Sequence, residues 1–113
     1  MERRRLQRRQ PFTYLRVFPR GITDLSIGVV ADLNTEGFLL VSETTPEHQG
    51  VVPLDIEIED DGDCHRITVT VMKRWTRPAQ NPSLFESGYQ FVDLDFSTTR
   101  AIRGVIGALA TAE

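Results

Sequence analysis

Two short stretches of this chain carry side chains suited to recognising phosphate and purine. Arg3-Arg4-Arg5-Leu6-Gln7-Arg8-Arg9 crowds guanidinium forks together, and Asp32-Leu33-Asn34-Thr35-Glu36-Gly37 sets a carboxylate, an amide and a glycine in one tight segment. A guanidinium pairs bidentately with phosphate oxygens and stacks on flat purine faces, while a short carboxylate or amide hydrogen-bonds a base edge. Together the two stretches imply a nucleotide site, provided the fold brings them to one place.

The elements that must do so read mainly as strands. Phe12 to Phe18 is rich in aromatic and branched residues and stops at Pro19-Arg20-Gly21, which marks a first strand and turn. Thr23 to Ala31 and Gly37 to Ser42 are expected to pair as the second and third strands, with Asp32 to Glu36 as the connection between them. The candidate ligand segment is thus a hairpin turn. In Val51 to Ile58, Leu54, Ile56 and Ile58 alternate with Asp55 and Glu57, and Glu59 continues the row, so the acidic face of this fourth strand is expected to be wet. Asp61-Gly62 reverses the chain into Cys64 to Trp75, where Ile67, Val69 and Val71 oppose Arg66, Thr68 and Thr70. Pro78 to Ser83 reads as a loop and Gly88 to Leu94 as the last strand. Ser97 then caps a helix over about residues 97–110, since Ile102, Val105, Ile106 and Leu109 recur at helical spacing. Gly104 and Gly107 weaken that helix by about 1 kcal/mol each relative to alanine, so it depends on docking against the sheet. The expected class is all-β with a C-terminal helix, a six-stranded antiparallel β-barrel, because closure removes exposed strand edges.

Composition narrows the chemistry. A length of 113 residues suits a single domain, here an arginine-rich arm (residues 1–10) followed by the barrel and helix (residues 11–113). Cys64 is the sole cysteine, which excludes an internal disulfide and a multi-cysteine zinc site. No secretory leader and no run of about 18 to 20 apolar residues is visible, so a cytoplasmic location is expected. The formal net charge of -3 conceals an asymmetry. Residues 1–10 hold five arginines and one glutamate, leaving eight basic against fifteen acidic side chains in the rest. A broad basic surface for nucleic acid is therefore not expected. Of the 13 basic residues only Lys73 is a lysine.

Enzymatic readings fare poorly. Cys64 and His65 are neighbours on a strand, so their side chains face opposite ways, and His48 belongs to a separate loop. A calcium loop starting at Asp55 would need glycine where Asp60 stands. No catalytic residue, metal site or cofactor is expected.

Glu2-Arg3-Arg4-Arg5-Leu6-Gln7-Arg8 resembles the RxxxR segment of PilZ domains, and Asp32-Leu33-Asn34-Thr35-Glu36-Gly37 resembles their (D/N)xSxxG turn. The likeness continues through Trp75 at a strand end, Gly88-Tyr89-Gln90-Phe91 and the closing helix. The resemblance implies a stand-alone barrel of PilZ type that binds the second messenger cyclic di-GMP and passes a signal to a protein partner without catalysing a reaction. It makes Arg4 and Arg8 the RxxxR pair, Arg3 and Arg5 helpers, and Asp32, Asn34 and Gly37 the turn motif, here DxNxxG. Asn34 stands where the family usually has serine, a larger side chain that still donates and accepts.

The chemistry agrees. Arginine bridges phosphate oxygens or binds the guanine O6 and N7 edge, and the Asp32 carboxylate matches the guanine N1 and N2 donors. Gly37 supplies either a positive φ or a close backbone approach. The arm is expected to be mobile when empty and to order around the phosphates, changing the surface shown to the partner. Each feature also has a plainer explanation. Arginine clusters occur as solvated tails, Asp32 and Asn34 are ordinary turn formers, and Trp75 is as well suited to packing as to lining a pocket. The alternatives are a PilZ-like interaction module that binds no cyclic di-GMP, and a small nucleic-acid-binding barrel.

Overall fold

The computed structural model describes residues 15–22, 24–60 and 63–110. Arg3, Arg4, Arg5 and Arg8, residues 12–14 of the first expected strand, and the Asp61-Gly62 reversal lie outside the described residues. Six strands, β1 (Leu15–Pro19), β2 (Gly28–Leu33), β3 (Gly37–Ser42), β4 (Val51–Asp60), β5 (Asp63–Pro78) and β6 (Phe85–Phe91), precede one helix, α1 (Phe96–Ala110). They close into a barrel in the order β1-β2-β3-β6-β5-β4, with β4 returning to β1. Every pairing is antiparallel.

Period-two alternation turns one face of each strand inward. Leu15 and Val17, Phe38 and Leu40, Leu54, Ile56 and Ile58, Val69 and Val71, and Tyr89 fill the interior, and Ile102 of α1 packs onto the same cluster. Each such side chain contributes roughly 1.5–3 kcal/mol relative to exposure. Phe38 stacks on Tyr89 with ring centres 5.0 Å apart and meets Phe91 at 6.0 Å. Val105 and Ile106 pack beside Ile102, so α1 is held by docking.

Several sequence expectations need correction. β2 begins at Gly28, not at position 23. Ser26 and Ile27 instead form a connection in which Ser26 Oγ donates to the Val17 carbonyl at 3.0 Å, accepts from Gly28 N at 3.1 Å, and Ile27 N donates to Val17 O at 2.8 Å. Side-chain bonds of this kind compete with ladder formation. β5 extends through Pro78, and β6 runs Phe85–Phe91 instead of Gly88 to Leu94. The loop between them closes on itself early, with Ala79 N donating to Leu84 O at 2.9 Å, and Asp93 turns the chain at a φ of 52° after β6 ends. The helix cap is Asp95, not Ser97. Asp95 Oδ1 accepts from Thr98 N at 2.7 Å, and Ser97 Oγ donates to the same oxygen at 3.2 Å.

At Asp55 and Glu57 the acidic face of β4 is not wet. Asp55 is only 6% exposed. It accepts from Thr68 Oγ1 at 2.7 Å and Gly21 N at 3.2 Å, with Arg66 at 3.6 Å. Glu57 is held between Arg16 and Arg66. The Arg66 guanidinium also lies 3.9 Å from the Phe18 ring centre, so cationic and aromatic side chains from β1 and β5 roof the carboxylates.

Candidate ligand cleft

Strand register assembles the site. Asp32 of β2 opposes Leu39 of β3, Leu39 opposes Gly88 of β6, and Gly88 opposes Trp75 of β5. Directly opposed residues share a face. The next row, Leu33, Phe38 and Tyr89, packs into the core, so Asp32, Leu39, Gly88 and Trp75 form one row on the outside of the barrel. A register shift interrupts β2 between Val30 and Asp32, and another interrupts β5 between Lys73 and Trp75. Bulges of this kind re-aim side chains and bend strands. Between them lies a cleft of about 450 Å³ whose lining includes Asp32, Asn34, Arg74, Trp75, Arg77 and Gln90.

The turn between β2 and β3 is built by Asn34. Its Oδ1 accepts from Glu36 N at 2.7 Å and Gly37 N at 3.2 Å, while its own N–H donates to Gly37 O at 3.0 Å. The side-chain oxygen is thereby spent on the turn, leaving the Nδ2 hydrogens for the cleft. Phe91 N donates to Glu36 O at 2.8 Å and ties the turn to β6. Asp32 is exposed, and its carboxylate has no partner among the described residues. Gly37 does not have a positive φ. It is needed for close approach, because a Cβ there would overlap the Tyr89 carbonyl.

Trp75 is both a packing residue and a cleft wall. It is 41% exposed, and its indole lies across Gly88 so closely that a Cβ at position 88 would stand 2.5 Å from Cε2. Arg77 places its guanidinium 4.6 Å from the Trp75 ring centre while Nε donates to Glu86 at 3.0 Å. Arg74, Arg77, Gly88 and Gln90 were not among the residues expected at a site. The signal for the two arginines was present in the run Lys73-Arg74-Trp75-Thr76-Arg77, where cations flank an aromatic residue.

Behind the β3–β6 wall, the buried Tyr89 hydroxyl lies 2.6 Å from His48 Nε2. Burial pushes the phenol above its ordinary range, so the hydroxyl stays protonated, and the imidazole tautomer sets which of the two atoms donates. Burial, and secondarily the Lys73 ammonium, hold His48 below the usual histidine value. Lys73 Nζ donates to Pro46 O at 2.7 Å, so two contacts fasten the loop between β3 and β4.

Among the described residues, no group of three or more His, Cys, Asp and Glu side chains is placed to hold a metal ion, and no helix is long and apolar enough to cross a membrane. Among solved structures, the chain is similar to the PilZ domain of CeSA from a cellulose-synthesizing bacterium, with 14% identity and a TM-score of 0.56 over 93% of this chain and 99% of that one. It is also similar to the Bacillus subtilis inhibitor of motility MotI/DgrA, with 11% identity and a TM-score of 0.59 over 96% of this chain and 54% of that one. This chain thus corresponds to about half the length of MotI/DgrA. No family model and no curated protein matches the sequence. The fold is PilZ-like, a six-stranded antiparallel β-barrel with one C-terminal helix.

Proposed function

We propose that this chain is a non-enzymatic receptor for cyclic di-GMP, acting in the bacterial cytoplasm, that signals to a protein partner when its N-terminal arm orders on the ligand. Arg4 and Arg8 grip the phosphates or stack on guanine, with Arg3 and Arg5 assisting. Asp32 reads the guanine N1 and N2 donors, Asn34 donates from Nδ2, Gly37 keeps the turn tight, and Trp75 walls the pocket.

The observation that carries this reading is the shared outer row of Asp32, Leu39, Gly88 and Trp75 beside the Asn34 turn. The start of β1 supports it. Arg16 pairs with Val29 and Val17 with Gly28, so the N-terminal end of β1 runs toward the β2 end that carries Asp32. Six residues lie between Arg8 and Leu15, and those seven chain steps span up to about 24 Å when extended, several times the two strand positions from Val30 to Asp32.

Each charge-assisted hydrogen bond contributes roughly 1.5–3 kcal/mol against the roughly 8 kcal/mol of a micromolar complex, so one key side chain decides whether binding is measurable. Calorimetry with cyclic di-GMP tests the proposal. Arg8→Ala and Asp32→Ala should each remove most of the affinity while leaving the melting temperature near wild type, and amide NMR shifts should concentrate at residues 3–9 and 32–37. Wild-type affinity in both variants would refute the site. A folded wild-type chain that ignores the ligand would instead make this an interaction module.

A further inference from the structure

The β5 bulge changes which side chains reach the cleft. In an unbroken strand Lys73, Trp75 and Arg77 share one face and Arg74 takes the other. With the register shift between Lys73 and Trp75, Arg74, Trp75 and Arg77 all line the cleft, while the Lys73 ammonium turns to the Pro46 carbonyl. Two guanidiniums therefore flank one indole.

Their surroundings leave them able to act. Arg77 is oriented through Nε by Glu86 and by the indole, which leaves its terminal nitrogens without a carboxylate among the described residues. Arg74 is exposed, and its contact is Met72 Sδ at 3.7 Å, a weak acceptor. Beyond residue 10 acidic side chains outnumber basic ones fifteen to eight, and in the cleft this pair offsets the Asp32 and Glu36 carboxylates that share its lining.

We propose that Arg74 and Arg77 form a second anion grip, which binds a phosphate of a purine nucleotide whose base lies against Trp75, independently of the N-terminal arginines. The proposal rests on the nucleotide reading of the cleft and gives it two grips. A ligand with two phosphates offers one to this grip and leaves the other for the N-terminal arginines. A mononucleotide uses the β5 pair alone.

The test is calorimetry on the full chain with two probes, cyclic di-GMP and 5′-GMP, at two salt concentrations. Arg74→Gln and Arg77→Gln should each weaken both ligands roughly ten-fold, the size of one charge-assisted contact at an exposed site, and should make the salt dependence shallower. The Arg74→Gln effect on 5′-GMP should persist undiminished in an Arg4→Ala, Arg8→Ala background, as independent grips require. Because Arg74 has no ion-pair partner among the described residues and Arg77 is largely exposed, both single variants should melt near the wild-type temperature. If cyclic di-GMP binds and neither substitution at β5 weakens it, the second grip is refuted and the receptor reading stands. If 5′-GMP binds in an Arg74-dependent way and cyclic di-GMP does not bind, the receptor reading falls and the grip stands. If neither probe binds, both fall.

Discussion

Gly88→Ala offers a direct test of how the cleft wall is held. An added methyl would stand 2.5, 2.7 and 2.8 Å from Cε2, Nε1 and Cζ2 of Trp75, well inside the ordinary contact distance of about 3.5–4.0 Å. The indole must therefore lift by roughly 1 Å or more. Position 88 itself cannot retreat, because its strand is paired with Leu39 on one side and Trp75 on the other. The ring has open space, being 41% exposed. An aromatic side chain of this kind buries about 150–250 Å² when fully covered, so roughly 100 Å² is at stake, or about 2.5 kcal/mol if all of it is lost. Partial swinging, together with a gain of about 0.5 kcal/mol for replacing glycine within a strand, leaves a net loss of about 1 kcal/mol.

For a chain of this size that loss lowers the melting temperature by about 4–8 °C. Trp75 is the only tryptophan, so its emission reports the same event and should shift to the red. The decisive measurement is a double-mutant cycle, in which Gly88→Ala should cost nothing once Trp75 is already alanine. Equal destabilisation in both backgrounds, or an unchanged emission spectrum, would refute the account of the wall. Gly37→Ala makes the contrast, since the obstacle there is the Tyr89 carbonyl and no side chain can swing away. It should cost more than Gly88→Ala, whether or not Trp75 is present.

Arg66→Ala should destabilise by about 2–3 kcal/mol, because it uncovers Phe18 and leaves Asp55 and Glu57 short of a cation, whereas loss of the exposed Arg77–Glu86 pair should cost less than about 1 kcal/mol in the same thermal melts. Asp95 is held below the ordinary aspartate value chiefly by the Thr98 N–H, so its stabilising effect is complete above that value and fades as pH falls through the depressed one; the deficit of Asp95→Ala in helical circular dichroism should shrink on acidification. His48 is held low by burial, so stability should be highest above its unfolded pKa of about 6.5 and decline as pH falls below it, and His48→Ala should flatten that slope in urea titrations.

The parts of the fold that were legible in the sequence depend on local periodicity. β3 runs Gly37–Ser42 as its apolar run beside the expected turn implies, and Leu54, Ile56, Ile58, Val69 and Val71 enter the core as their spacing requires. Partners distant in sequence were not legible. Asp55 reads as a water-facing aspartate until β1 and β5 bring Phe18 and Arg66 over it, and no window around position 55 contains either. The helix cap failed for a different reason. Asp95 and Ser97 are both good capping residues two positions apart, and hydrogen-bond geometry, not residue type, chooses between them.

The cleft combines the two cases. Its turn chemistry is local, and Asn34 can be recognised as a turn builder from type alone. Its opposite wall requires a bulge, because strict alternation would have sent Arg74 away from Trp75 and Arg77. A single extra residue in β5 thus decides how many cations face the cleft. Deleting it, by removing Arg74, should make Lys73 and Trp75 neighbours on opposite faces, so one cation leaves the cleft while Lys73 Nζ keeps the Pro46 carbonyl, 2.7 Å away. The loop between β3 and β4 then keeps both fastenings and should exchange its amide hydrogens at the wild-type rate, while faster exchange there would show that removing Arg74 turns Lys73 and that the bulge is not a simple one-residue insertion.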